Sequence, residues 1–192
     1  MFTETDKKYY TPEEYRVLEE QADYKSEYRD GEIVPMTGEA THQNELALTL
    51  AALLKLKRRT QNYRVYMGNV RLWIPRDRQY TSPDVMVIGG EPIYTDTGTT
   101  TVTNPLLMAE VLSKCTENYD QGDKFMYYRS IPEMWEYSLI EQTRFYVIQY
   151  YKIEKHNWML TEWESEAAGV RLKLVHFELS LGELYEGVEF KG

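Results

Sequence analysis

The stretch LLMAEVLSKCTENYDQGDKFMYYRSIPEMWEY, residues 106–137, decides how this chain is read. It opens with LLMAEVLS, a short and mostly apolar run of the kind that forms a central strand buried on both faces. One residue breaks that pattern, because Glu110 stands among apolar neighbours. Burying an unpaired carboxylate costs several kcal/mol, so an acid at this place needs a partner or a task. The run TENYDQGDKFMYYRS predicts a helix with a glycine inside it, and EMWEYSLI predicts an aromatic strand after it.

Upstream, TPEEYRVLEEQA predicts a helix whose start is written in three residues. Thr11 fits the N-cap, Pro12 the first helical position and Glu14 the third, which makes a capping box. In KSEYRDGEIVPMTG the pair Asp30-Gly31 separates two apolar-bearing runs, the strongest short signal for a β-hairpin. THQNELALTLAALLKLKRRT predicts a second helix. Leu46, Leu50, Leu53 and Leu54 recur at helical spacing, and Lys55, Lys57, Arg58 and Arg59 complement the dipole at its end. The period then drops to two, with Tyr63, Val65 and Met67 alternating before the strand-like runs VRLWIP and PDVMVIG.

EPIYTDTGTTTVTNP reads as a polar loop. Beyond EMWEYSLI, the runs RFYVIQYY and NWMLTEW continue an antiparallel meander, followed by VRLKLV and an apolar tail, FELSLGELYEGVEF. No internal repeat, low-complexity tract or linker interrupts the chain. The expected fold class is α+β (α/β), a mixed β-sheet flanked by helices, in a single domain over residues 1–192.

Composition bounds the function. A net charge of −9 aids solubility and opposes non-specific binding to nucleic acid, although it leaves room for a local basic groove. The single Cys115 excludes an internal disulfide and points to a reducing, cytoplasmic compartment. The start, MFTETDKKYYTPEEY, is polar, and no apolar run approaches the roughly 20 residues that span a bilayer, so no membrane role is expected. No P-loop, dinucleotide fingerprint or zinc spacing is present.

Two acids stand within predicted strands: Asp84, after Pro83 at the entry of PDVMVIG, and Glu110. If those strands pair near their polar ends, both carboxylates converge at one end of the sheet. One or two carboxylates, completed by waters and substrate phosphates, suit Mg²⁺. Taken alone, Asp84 is also a common strand-entry residue and Glu110 a candidate for a structural ion pair. Lys124 lies four residues after Asp120, a spacing that by itself describes a surface pair. Folded back over the strand end, the same lysine reaches the two acids. Cys115 reads as a small filler residue, and Tyr127, Tyr128, Trp135 and Tyr137 as core and interface rather than a base-stacking platform.

The pieces EYRDGEIVPMTG, His42, SPDV, AEVLS, the D…DK…Y run and IPEMWEY, in this order, resemble the restriction endonuclease-like family called Uma-two. That family is abundant in cyanobacteria and belongs to the PD-(D/E)XK nuclease superfamily. The resemblance covers about residues 10–150 and extends weakly into the C-terminal strands. It implies a restriction endonuclease-like core and Mg²⁺-dependent cleavage of nucleic acid, DNA in the first place, with Mn²⁺ able to substitute. In the superfamily an Asp and a Glu on adjacent strands bind the metal, while a Lys assists the attacking water. Asp84 matches the first role and Glu110 the second.

At the position where the superfamily carries that lysine, this chain has Leu112. The family shares the departure, with the lysine moved to the helix, which matches Lys124; Lys114, just past the strand, is the nearer alternative. His42, Glu32 and Asp120 are candidate supporting residues. A homodimer is expected, since many nucleases cut duplexes as pairs. The rival expectations are a catalytically silent binding module that keeps the nuclease fold, and a glycoside hydrolase using the two acids as its carboxyl pair. The last leaves Lys124 unexplained.

Overall fold

Helix α1 (Pro12–Gln21) begins where its capping residues predict. The Thr11 hydroxyl accepts from the Glu14 N–H at 3.1 Å, and the Glu14 carboxylate accepts from the Thr11 N–H at 2.8 Å. The chain then forms the hairpin β1 (Ser26–Arg29) and β2 (Glu32–Pro35), with Arg29 opposite Glu32 across the two-residue turn. Asp30 (φ 42°) and Gly31 (φ 103°) both take positive φ, as this class of turn requires. The computed structural model describes residues 8–36, 38, 40–57, 62–95, 98–114 and 116–190; the sequence readings of Arg58, Arg59 and Cys115 lie outside them.

Helix α2 (Thr41–Lys57) buries Leu46, Leu50 and Leu54, while Leu53 is only partly covered. Burial of one such leucine contributes about 2 kcal/mol, which is what seats the helix on the sheet below it. That sheet is built from β3 (Tyr63–Met67), β6 (Val85–Gly89), β8 (Leu107–Leu112), β9 (Glu136–Glu141), β10 (Tyr146–Glu154) and β11 (Asn157–Glu164), while β4 (Arg71–Ile74), β5 (Gln79–Thr81) and β7 (Thr101–Val102) belong to another sheet. The strand order is β11-β10-β9-β8-β6-β3, and the pairing of β8 with β9 is parallel while the others are antiparallel. The meander read from EMWEYSLI, RFYVIQYY and NWMLTEW is β9, β10 and β11.

Every residue of β8 is buried, as expected for a central strand. Alternation sorts its side chains. Val85, Val87, Leu107, Ala109 and Val111 face α2 and one apolar cluster. Met86, Ile88, Met108 and Leu112 join a second cluster with Tyr128 and Tyr137.

The sequence reading did not separate two short strands. β5 (Gln79–Thr81) and β7 (Thr101–Val102) join the hairpin and β4 (Arg71–Ile74) in a five-stranded sheet ordered β2-β1-β5-β4-β7. β7 is two residues long and lies in what reads as a polar loop, so its strand character comes from parallel pairing with β4. The segment after β8 is helical in three pieces: α3 (Glu117–Tyr119), a π-turn (Asp120–Lys124) and α4 (Phe125–Tyr128). VRLKLV and the apolar tail form a further hairpin, β12 (Gly169–Leu172) with β13 (Phe177–Ser180), followed by α5 (Leu181–Leu184). No helix among the described residues is long and apolar enough to cross a membrane.

Candidate active site

β6 and β8 run antiparallel with Val85 opposite Ala109, so one further step of the same register sets Asp84 opposite Glu110. Alternation puts both on the face that carries Met86 and Met108. The entry of one strand and the exit of the other therefore share one end of the sheet. The two acids also grip each other's strand. Val111 N–H donates to Asp84 Oδ2 at 2.7 Å, and Asp84 N–H donates to Glu110 Oε2 at 3.3 Å.

Lys124 reaches the same place. Its ammonium lies 2.9 Å from Glu110 Oε1, 3.3 Å from Asp120 Oδ1 and 3.7 Å from Glu27 Oε1, on side chains no more than 8% exposed. The Asp120–Lys124 pair, which spacing alone describes as a surface pair, is instead buried. The π-turn lays both residues against the sheet, and such turns often occur at functional sites. Lys114, the nearer alternative in sequence, is exposed, and Leu112 is buried in the second apolar cluster.

Two further groups complete the cluster: Tyr128, which the sequence reads as core and interface, and Glu27, which the sequence reading passed over. Tyr128, fully buried on α4, donates its hydroxyl to Glu110 Oε1 at 2.7 Å. Glu27, on β1, accepts from the Thr81 hydroxyl through Oε1 and from Arg29 through Oε2, at 2.6 Å from Nη2 and 3.1 Å from Nε. An acid two residues before an arginine on a hairpin strand was the available signal for Glu27. Its meeting with Lys124 depends on how the two sheets pack.

Glu27, Arg29, Asp84, Glu110, Asp120 and Lys124 all line one cavity of about 400 Å³, whose lining also includes Val34, Pro35 and Met36. Glu32 and His42 are not among the lining residues. Glu32 sits at the turn end of β2, whereas Val34, opposite Glu27, faces the cavity; on α2 it is Gln43, next to His42, that does so. Asp120 is at the cavity as expected. Asp123 is exposed on the helix.

The electrostatics follow from three carboxylates gathered around one buried ammonium, with Asp84 beside Glu110. Burial alone would lower the Lys124 ammonium, but Glu110, Glu27 and Asp120 outweigh it and hold the group charged, well above its ordinary range. Burial would likewise raise Glu27, yet Lys124, the Thr81 hydroxyl and Arg29 hold it below the usual carboxylate range. Glu110 is pushed up to about 8, first by burial and then by the charges of Asp84 and Asp120, with Lys124 opposing. With one ammonium shared among several acids, Glu110 is the carboxyl that keeps a proton near neutral pH in the metal-free site.

A hard divalent cation fits this donor set. Asp84 and Glu110 both line this cavity, and a divalent cation between them would take the place of the proton that burial and the neighbouring acids favour on Glu110. Among the described residues, no three His, Cys, Asp or Glu side chains form a closed ligand cage. Mg²⁺ does not need one, since it keeps several waters and commonly binds through one or two carboxylates plus substrate phosphates.

A mixed sheet with a paired Asp and Glu at the ends of adjacent strands, and a lysine folded over them, defines a restriction endonuclease-like core. A solved structure described as a "putative nuclease belonging to DUF820" from Anabaena variabilis superposes with a TM-score of 0.77, covering 94% of this chain and 99% of that one at 16% identity. The model of the Uma2 family, described as "Putative restriction endonuclease", matches residues 12–184, and the chain belongs to that family. Two relatives from Synechocystis sp. are similar along nearly their whole length. The uncharacterized protein sll1609 is 41% identical over 165 residues, 86% of this chain and 93% of the relative. The uncharacterized protein slr1290 is 29% identical over 180 residues, 94% of this chain and 93% of the relative.

Proposed function

We propose that the protein is a metal-dependent phosphodiesterase that cuts nucleic acid, DNA in the first place, with Asp84 and Glu110 holding Mg²⁺ and Mn²⁺ able to replace it. The observation that carries this reading is the convergence of Asp84, Glu110 and the Lys124 ammonium on one cavity at the shared end of β6 and β8. When bound, the ion would polarise a phosphoryl oxygen and lower the pKa of a coordinated water.

The chain's own residues do the rest. Tyr128 and the Asp84 N–H fix the two oxygens of Glu110, and the Val111 N–H fixes Asp84, so the carboxylates are oriented before any ligand arrives. Lys124 is held as an ammonium and therefore does not serve as the proton acceptor at neutral pH. Its role in this reading is to orient the attacking water and offset charge that develops on the phosphate in line with attack. A pair of copies, each cutting one strand, is the assembly we infer for duplex substrates.

The test is cleavage of supercoiled plasmid in Mg²⁺ or Mn²⁺, alongside calorimetric titration with Mn²⁺. The intact protein is expected to nick the plasmid and bind the ion. Asp84→Ala and Glu110→Ala are expected to lose both while keeping the far-ultraviolet circular dichroism of the parent. Full-rate cleavage by both variants overturns the assignment, and no binding at millimolar metal turns it towards a silent module that keeps the fold.

A further inference from the structure

The proposed site is lined by four acids, and the chain as a whole carries a net charge of −9, so a phosphodiester entering the cavity meets repulsion unless a cation receives it. Lys124 is poorly placed for that task. It is buried to 8% side-chain exposure and shared among Glu110, Asp120 and Glu27. Among the described lining residues the other cation is Arg29, whose side chain is 32% exposed.

Arg29 is also held in one posture. Its Nε and Nη2 both donate to Glu27 Oε2, and its guanidinium carbon lies 3.7 Å from the centroid of the Tyr119 ring, which also lines the cavity. A guanidinium stacked on an aromatic face and tied along one edge loses little further freedom when a phosphate arrives, and its planar fork suits phosphate oxygens. Glu27 thus joins two cations, with Oε1 towards Lys124 and Oε2 towards Arg29. Of the two cations in this cavity, Arg29 is thus the exposed one and Lys124 the buried one.

We propose that Arg29, stacked on Tyr119 and braced by Glu27, is the residue that receives the backbone phosphate of the nucleic acid at this site. The assignment rests on the nuclease reading above and adds the contact that recognises substrate. It predicts sequence-independent recognition, because a phosphate contact carries no base information.

The experiment measures binding of a fluorescein-labelled 20-base-pair duplex by anisotropy across a series of NaCl concentrations, with plasmid cleavage in Mn²⁺ run in parallel. Arg29→Ala is expected to weaken binding by about tenfold and to reduce the slope of log K against log salt by about one. Arg29→Lys is expected to keep the slope, since the charge remains, while losing part of the affinity. Tyr119→Leu is expected to weaken binding with the slope kept. Thermal melting checks that each variant is folded. An Arg29→Ala protein that binds and cuts like the parent overturns the assignment and leaves the nuclease reading standing. Weaker binding with an unchanged slope also overturns it, because a merely structural arginine behaves that way. A parent that binds but does not cut overturns the nuclease reading alone, and the slope then still decides Arg29. A parent that does neither overturns both.

Discussion

The ammonium of Lys124 stands 2.9 Å from Glu110 Oε1, although Lys124 lies in the π-turn that follows the strand and not in the strand itself. The strand position where a lysine would be sought holds Leu112, which packs in the second apolar cluster. The positive charge has been delivered to the same oxygen from above the sheet, and three carboxylates share it.

Removing that charge leaves buried acids without a counter-ion. Lys124→Met is expected to lower stability in metal-free buffer by about 3–5 kcal/mol. It is also expected to slow metal-dependent cleavage by about 10²-fold, through loss of electrostatic help to the transition state. Urea unfolding and plasmid nicking measure the two effects. A variant as stable as the parent means that the lysine does not compensate the acids.

Tyr128 contributes a hydrogen bond to a carboxylate in a fully buried setting. Tyr128→Phe keeps the ring and its edge-on contact with Tyr137, at 5.2 Å between centroids, and removes only the hydroxyl. Hydrogen bonds contribute about 0.5–1.5 kcal/mol to a neutral acceptor and about 1.5–3 kcal/mol to a charged one, so the loss expected in chemical denaturation is the smaller while Glu110 keeps its proton and grows above about pH 8. Unchanged stability would mean that the hydroxyl does not hold Glu110 in solution.

Away from the site, Glu136 on β9 is fully buried and accepts from the Gln149 amide. Burial pushes its carboxyl up to about 7 from its ordinary 4.5, against the backbone N–H groups of Leu174 and Lys173 and the Gln149 amide. The folded state therefore binds this proton more tightly than the unfolded chain does. Its contribution to stability is present below about pH 4.5, falls as pH rises towards 7 and levels off above that. The size is on the order of 1.4 kcal/mol per pH unit within that window. Guanidinium unfolding from pH 4.5 to 8 is expected to show this slope in the parent and a shallower one in Glu136→Gln. Parallel profiles for the two proteins would refute it.

The turn of the first hairpin depends on glycine. Gly31 has φ 103°, and a Cβ there would stand 2.6 Å from the Tyr9 ring. Gly31→Ala is expected to lower the melting temperature at a cost of more than about 1 kcal/mol, because strain and crowding add. Calorimetry that finds the variant as stable as the parent would show that the turn can rearrange freely.

Much of the architecture is legible in local pattern, since capping, hairpin turns and side-chain alternation are rules over neighbouring residues. Thr11 to Glu14 marks the first helix, Asp30-Gly31 the hairpin, and the apolar run around Glu110 the buried central strand. The shortest strands were not legible. β5 and β7 have three and two residues, and only pairing makes strands of them, β5 with β1 and β4 and β7 with β4.

The candidate site divides in the same way. Asp84 and Glu110 could be read from the sequence, because an acid in an apolar strand stands out against a period of two. Their meeting required antiparallel pairing of β6 with β8, which brings the start of one strand to the end of the other. Glu27 and Arg29 carry no comparable local signal: alternation puts them on one face of a hairpin strand, and many solvated hairpins look the same. The packing of the five-stranded sheet against the helical segment brings Glu27 to Lys124 and Arg29 to Tyr119, while pairing within that sheet brings Glu27 to Thr81, 54 residues away. Local sequence marked Asp84 and Glu110 as acids set in apolar strands. Only the tertiary structure decided which cations would face them, because burial forces each charge to find its partner in space rather than along the chain.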